Sequence, residues 1–391
     1  MDVAGRLHAG WAPVTADREF LPGLELCQAL YEDAVRPILD KHFPGLAHSA
    51  ARIGHGSEVL GFDTIRSTDH DWGPSVQVFV RPQDAAAEPE VRRVLAEQLP
   101  ASVRGWPVHY QRKDDPNDPV EHLELTDGPK NHHVWVAEPA AWLRSRLGVD
   151  PVAGPLTVGE WLAVPQQRLA EVTAGAVFHD GLGVLGPVRK QLGWYPEDVW
   201  RFLLAGQWVK LAQEEAFVGR TAEVGDGLGS RLVAARQVRE LMRLALLQER
   251  RYAPYSKWLG SAFRRDVPGS AELSALLEGV LAADRYAERE AMLCEAYEEL
   301  ARRQNALGLT AEPIDPTRRL YYGRPFQVLH AERFALALWD SIKDPELRAR
   351  QPIGGADQWA DSTDFLGDLP AVRAASDALT GPKTGRWALP A

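Results

Sequence analysis

The sequence predicts an α+β chain, with a small mixed-sheet domain followed by an α-helical bundle. Three observations carry that expectation. Short β-branched or alternating runs such as "PSVQVFV" (74–80) and "HHVWV" (132–136) crowd the first 150 residues, and alternation over so few residues marks strands. From about residue 155 the texture shifts to long apolar patterns of helical period. At 391 residues and 45% hydrophobic content the chain exceeds what one core of ordinary size serves. The expected division is 1–150 for the sheet domain, 151–310 for the bundle and 311–391 for a C-terminal helix and tail.

Taken in order, residues 16–50 open with a helix that Pro22 interrupts and Pro44-Gly45 ends. "SAARIGHGSEVLGFDT" gives a short strand or turn, with Gly54, Gly56 and Gly61 leaving the backbone bare. "PSVQVFV" continues as a strand. "EPEVRRVLAEQLPASV" is an amphipathic helix with Glu88 and Glu90 in its first turn, where negative charge meets the positive end of the helix dipole. "PVHYQRK", "VEHLELTD" and "HHVWVAEP" are three further strands between the turn-rich "DDPNDP" and "DGPKN". "PAAWLRSRLG" is a helix that Gly148 stops. Helices are then expected over 157–174, 196–217, 229–250, 271–282 and 284–306. "RPFQVLHAERFALALWDSI" supplies one more, before a tail rich in Pro, Gly and Asp.

Charge and cysteine usage narrow the partners. Lys and Arg number 44 against 54 Asp and Glu, a net charge of −10. A protein that neutralises many nucleic-acid phosphates is usually more basic, so small-molecule partners are expected, with a tRNA end left open. Cys27 and Cys294 stand alone and far apart, which excludes a disulfide framework or a zinc ribbon. The start lacks the charged and apolar regions of a secretory signal, and no apolar stretch approaches the length of a membrane span. The expected location is the cytoplasm, without a membrane partner. No segment identifies an oligomer interface.

The stretch that carries chemistry is "GHGSEVLGFDTIRSTDHDW" (54–72). Gly56-Ser57 forms a bare turn, and residues 58–68 separate it from Asp69 and Asp71. On a strand these two aspartates point to one face, where carboxylates repel unless a cation lies between them. A bare glycine lets backbone N–H groups approach phosphates, and the serine hydroxyl adds a donor. Two carboxylates suit Mg²⁺, a hard cation that takes oxygen ligands. Two such ions can clamp the attacking and leaving oxygens of an in-line displacement.

A Gly-Ser turn followed at this distance by Asp-x-Asp resembles the signature of the polymerase-beta-type nucleotidyltransferase superfamily. Residues 50–300 resemble, more closely, a bacterial nucleotidyltransferase-like family of unknown function. The residues that carry the likeness are "GHGSEVLGFDTIRSTDHDWGP", "AGAVFHDGLGVL", "YPEDVWRFLLAGQW" and "RRYAPYSKWLGSAF". The resemblance implies the architecture of aminoglycoside nucleotidyltransferases, Mg²⁺, and ATP or another nucleoside triphosphate as substrate. It also implies a third carboxylate on a neighbouring strand, at a position that falls near Trp135 in this chain. Tryptophan cannot fill that role; Glu124, on the adjacent strand, is taken as the substitute over Glu121. The expected activity is transfer of a nucleoside monophosphate to a hydroxyl of a small metabolite or antibiotic. The alternative is an inactive nucleotide-binding regulatory or interaction protein of the same fold.

Other candidates are basic or aromatic. Lys257 and Tyr255 in "YAPYSKWL" could meet phosphate and base, with Lys210 and Arg239 as further phosphate ligands. Against each stands the plain reading of a solvated helix face. His179-Asp180, expected on a loop between helices, could suggest a phosphohydrolase, but the further ligands such a site needs are absent from the sequence, and a loop pair hydrogen-bonding the interdomain hinge is favoured. His132 and His133 are adjacent on a strand and so face opposite ways, which excludes their sharing one ion.

Overall fold

The computed structural model describes residues 19–112, 123–126 and 131–380. Gly23–Leu30 (α1), a π-helical turn at Tyr31–Val35 and Arg36–His42 (α2) follow one another without a break. Pro37, in the first turn of α2, has no N–H to give to the turn before it, and a widened turn there accommodates the loss. Strand β1 (His48–Arg52) comes next, then β2 (Ser75–Val80), α3 (Glu88–Gln98), β3 (His109–Arg112), β4 (Leu123–Thr126), β5 (His133–Ala137) and α4 (Pro139–Leu147). Helices α5 (Val158–Ala163) and α6 (Gln166–Thr173) precede β6 (Ala176–Asp180) and α7 (Leu185–Gln191). The chain is then helical through α8 (Glu197–Ala212), α9 (Phe217–Glu223), α10 (Gly227–Gln248), α11 (Ser256–Asp266), α12 (Ser270–Ala282), α13 (Tyr286–Ala306) and α14 (Glu332–Asp340).

The sheet is mixed, as expected, with strand order β5-β2-β1-β6. β1 pairs antiparallel with β2 and β6, and β2 pairs parallel with β5. One face of the sheet offers Ala50, Val76, Val78, Val80 and Val134 to Leu30, Val35, Leu39, Val91 and Leu95 of α1, the π-helical turn, α2 and α3. The opposite face offers Ala51 and Phe79 to Leu185 of α7, with Trp142 of α4 packed beside them. Burial on both faces explains why β2 is buried along its whole length. The β3–β4 hairpin supplies Tyr110 and Leu125 to a second, smaller core around Leu26, Trp72 and Trp106.

The chain forms two compact units. The sheet unit comprises residues up to Arg146, 151–153 and 171–191; the helical unit comprises 147–150, 154–170 and everything from 192 onward. In the helical unit α8 is buried on nearly every side, from Val199 and Trp200 through Phe202, Leu203, Trp208 and Leu211, as a central helix must be. It packs against α10 and α14. Gly206 lies so near the backbone of Gly354 that a Cβ there would meet it at 2.6 Å.

Several elements depart from expectation. His179-Asp180 is on an edge strand, not in an interhelical loop, and β6 therefore joins a sheet whose other strands end before residue 140. The helix expected over 157–174 is two helices. Pro165 holds Val164 extended, at φ −75° and ψ 120°, and so ends α5. The span 196–217 likewise breaks into α8 and the start of α9. "SKWLGSAFRRD" forms α11, and the Pro/Gly/Asp-rich tail folds into short helices, among them Pro345–Arg348 and Leu369–Thr380. No described helix is long and apolar enough to cross a membrane.

Candidate functional site

The Gly-Ser turn follows directly from the end of β1. Arg52, 3% exposed, donates from Nε to Glu58 Oε1 at 2.9 Å, and its second nitrogen bonds the same oxygen. It also donates to the carbonyls of Ile53 at 3.2 Å and His55 at 2.8 Å. Glu58 is as buried as its partner. One guanidinium thus holds both sides of the turn, and because the pair is sequestered from water its removal from either side leaves a buried charge.

Gly56 lies inside this brace at φ +137°, and a Cβ there would stand 2.4 Å from Glu58 Oε1. The position accepts glycine alone. Gly54, at φ +97°, presses against Trp142 of α4, whose Cζ2 would be 3.2 Å from a Cβ. Further out, Phe62 donates its N–H to the Ser57 carbonyl at 2.8 Å. Among the described residues the Ser57 hydroxyl has no hydrogen-bond partner, and its side chain is half-buried.

The Asp-x-Asp segment is not on a strand. Residues Ile65–Asp69 form a 3₁₀ turn capped by Thr64, and β2 begins only at Ser75. The shared face predicted for Asp69 and Asp71 therefore does not arise from strand alternation. What replaces it is an anchored turn. Asp71 adopts a left-handed φ of +49°, uncommon for a residue other than glycine although aspartate tolerates it. Its N–H donates to the Leu123 carbonyl at 2.8 Å, and its Oδ1 accepts the Leu123 N–H at 3.0 Å. The side chain is otherwise exposed. Asp69, with 26% of its side chain exposed, sits 2.8 Å from His70 Nδ1.

Trp72 fixes the turn from below. It is 3% exposed, meets Trp106 edge-on at 4.8 Å, and donates from Nε1 to Asp63 Oδ2 at 3.1 Å. The same Asp63 oxygen accepts the Gly23 N–H at 2.7 Å, binding the start of α1. Cys27 Sγ accepts the Ser75 N–H at 3.4 Å and donates to the Gly73 carbonyl. Burial pushes that thiol up to about 11, so it serves as a neutral anchor rather than a nucleophile.

β5 presents an aromatic face. His133 stacks on Tyr110 with centroids 3.6 Å apart and planes 6° from parallel, and Trp135 lies 5.1 Å further on. Burial and then the Arg52 charge lower the His133 pKa to about 4, against an opposing pull from Asp71. Its imidazole is neutral at physiological pH and has no hydrogen-bond partner among the described residues. His55 is exposed, yet the surrounding protein lowers its pKa too, with Arg52 and Arg146 adding to the effect. His132 faces the other way, with Nε2 3.2 Å from the Arg92 carbonyl.

Of the remaining sequence candidates, Glu124 accepts a 2.8 Å bond from Gln111 Nε2 across the hairpin. By strand alternation it faces away from the core that takes Leu123 and Leu125. Glu121 lies outside the described residues. Lys210 donates to the Gln358 carbonyl at 2.8 Å and pairs with Glu240 at 3.6 Å. Arg239 is bound by Asp361 and Glu240. Their positive charges are thus answered within the helical unit. Tyr255 precedes α11, its N–H bonded to Gln167. Lys257 is exposed in the first turn, 5.0 Å from the Trp258 ring centroid, and has no ion-pair partner among the described residues. Asp180 accepts N–H bonds from Val184, Leu185 and Gly186 and a hydroxyl bond from Ser49. It caps α7 from the end of β6, in place of the loop pair at an interdomain hinge expected from sequence.

Sequence reasoning missed Arg52, Glu58 and Tyr110, and weighed His133 only as a partner of His132 in a metal site. The signal for the first two was present in "RIGHGSE", where a charged residue stands on each side of the glycines.

Comparison with known proteins adds the following. Residues 161–259 match the family described as Domain of unknown function (DUF4037). That segment includes all of "AGAVFHDGLGVL" and "YAPYSKWL" but not the Gly-Ser turn or Asp-x-Asp. No curated protein matches. Among solved structures the chain is similar to a nucleotidyltransferase-like protein from Exiguobacterium sibiricum 255-15, at 14% identity and a TM-score of 0.33, over 88% of this chain and 89% of that one. So loose a superposition fixes neither fold nor function.

Proposed function

We propose that the chain is a Mg²⁺-dependent nucleotidyltransferase that moves a nucleoside monophosphate from a nucleoside triphosphate to a hydroxyl of a small acceptor. One observation carries the reading: a braced glycine loop offers an unpartnered serine hydroxyl in the same unit as an anchored turn bearing two solvent-reaching carboxylates. Rigid backbone spends little entropy on ordering when a phosphate chain docks. Gly56 admits close approach of the phosphates, and Ser57 donates from its hydroxyl and backbone. Asp69 and Asp71 fit Mg²⁺, which binds through one or two carboxylates and completes its shell with water and phosphate oxygens. When bound, the ion neutralises triphosphate charge and polarises the α-phosphoryl group.

The second reading, a nucleotide-binding protein without turnover, is favoured by one feature. β5 offers His133 and Trp135 where the superfamily likeness calls for a carboxylate, and Glu124 is engaged with Gln111. A transfer screen separates the two readings. The full chain, Mg²⁺ and each of four triphosphates are incubated with hydroxylated acceptors, and pyrophosphate and product mass are followed. An acceptor heavier by one nucleoside monophosphate establishes transfer. Tight nucleotide binding with no product across the panel favours the second reading, and no nucleotide binding overturns both.

A further inference from the structure

We infer that Trp135, in the middle of β5, is the platform on which the nucleobase stacks, and that it gives the site a preference for purines. This rests on the reading of the Gly-Ser loop and Asp-x-Asp turn as a nucleotide site, and supplies the partner for the base.

The register of the sheet places the ring. Ala51 of β1 pairs with Gln77 of β2, and Gln77 pairs with Trp135, so the three form one row across the sheet. Ser75 and His133 form the row before it. Val134 joins the core under the helices, so His133 and Trp135 project from the opposite face. The chain leaves β1 for the Gly-Ser loop at Ile53, two residues past Ala51. There the Gln77 side chain accepts the Ile53 N–H at 3.2 Å and donates to the Ile53 carbonyl at 3.0 Å. Trp135 thus stands one strand, about 4.8 Å, from the residue that clamps the start of the loop.

The aspartate turn reaches the same rings through the β3–β4 hairpin. Leu123 of that hairpin holds Asp71, and Tyr110 of its other strand stacks on His133. His133 in turn lies 5.1 Å from Trp135, with the planes tilted by 36°. The Asp71 charge is felt both at His133 and at His55 within the loop, so loop, carboxylate and rings share one neighbourhood. At the other end of this face Phe79 and Ala51 are covered by Leu185 and Trp142. Trp135 is left half-buried, with His133 its one ring neighbour among the described residues. An indole held this way is firmly oriented and still meets solvent. Stacking on it tolerates every base and strengthens with ring area, which favours purines. The same role accounts for a tryptophan at the place where the superfamily likeness calls for a carboxylate.

The test is isothermal titration of the full-length chain with the Mg²⁺ complexes of ATP, GTP, CTP and UTP, and with Mg²⁺-tripolyphosphate as the probe lacking base and sugar. The wild type is expected to bind the purine nucleotides several-fold more tightly than the pyrimidine ones. Trp135→Ala is expected to weaken MgATP about tenfold, within the range of one base–aromatic stack, and to leave tripolyphosphate unchanged. Trp135→Phe should recover part of the loss. Trp135→Leu keeps apolar bulk without the π face, and replaces the alanine variant if circular dichroism shows that the latter is unfolded. Wild-type MgATP affinity in a folded Trp135→Ala or Trp135→Leu chain, with binding abolished in Asp69→Asn/Asp71→Asn, overturns this inference and leaves the transferase reading intact. An equal loss for MgATP and tripolyphosphate overturns it too, since the residue then acts on the loop and not on the base. Absence of binding of all four nucleotides by the wild type overturns both.

Discussion

At position 56 a side chain has no room, because the buried Glu58 carboxylate occupies the space and the backbone is in a region that favours glycine. Gly56→Ala is therefore expected to displace the loop and abolish nucleotide binding, at a stability cost of about 1–3 kcal/mol. Calorimetric titration and denaturant unfolding read the two effects. Glu58→Gln leaves the Arg52 charge buried without its counter-charge, and should cost about 3–5 kcal/mol of unfolding free energy. His133 gives a pH signature. Its ordinary pKa of 6.5 falls to about 4 in the fold through burial. The unfolded chain therefore binds more protons between those values. The contribution is fully present above pH 6.5 and is lost as pH falls towards 4. Replacing His133 with Gln should flatten that part of the stability profile, and NMR titration of the ring checks the value directly. Gly56, Ser57, Asp69 and Asp71 were legible because their spacing lies within one short segment. Arg52–Glu58 and Tyr110–His133 were not. A buried ion pair looks like surface charge in sequence, and a stacked ring from another strand has no local trace.

At the scale of elements, the turn bearing the aspartates is held by α1, β4 and the Trp72 core, with no help from strand pairing of its own. Asp63 serves both α1 and Trp72, so Asp63→Ala should lose about 1–2 kcal/mol, the range for a helix cap. The same change should weaken Mg-nucleotide binding more than stability alone accounts for. A thermal melt beside a titration checks this. Asp180 makes a second, acid-side prediction. Against the opposing cost of burial, donors from Gly186, Ser49, Leu185 and Val184 hold its carboxyl below the ordinary 3.8. Its contribution is present above 3.8 and is lost as pH falls through the folded value. Asp180→Asn should remove that acid dependence and loosen the start of α7. The strand β6 that carries it escaped prediction because "AVFHDG" is short and ends in turn-forming residues. Pairing with β1, not local propensity, makes it a strand. The long helices were legible because a 3.6-residue period summed over many residues outweighs local exceptions. Their breaks were harder to read, even where Pro165 marks one.

At the scale of the molecule, a net charge of −10 disfavours the phosphate neutralisation that nucleic-acid binding requires. A gel-shift titration with tRNA at physiological salt should therefore show no retardation in the range where nucleotide binds. The sheet unit contains the Gly-Ser loop, Asp69, Asp71 and His133. The residues that match DUF4037 lie largely outside it. The account thus stands on the geometry of the loop and the anchored turn. Its central claim is that these hold a metal-bound triphosphate. The most direct measurement is isothermal titration of ATP, GTP, CTP and UTP, with and without Mg²⁺, into wild-type protein and Asp69→Asn/Asp71→Asn. The account predicts saturable, Mg²⁺-dependent binding of at least one nucleotide, lost in the double variant while the fold persists. Binding that survives the double substitution, or no binding of any nucleotide by the wild type, contradicts it.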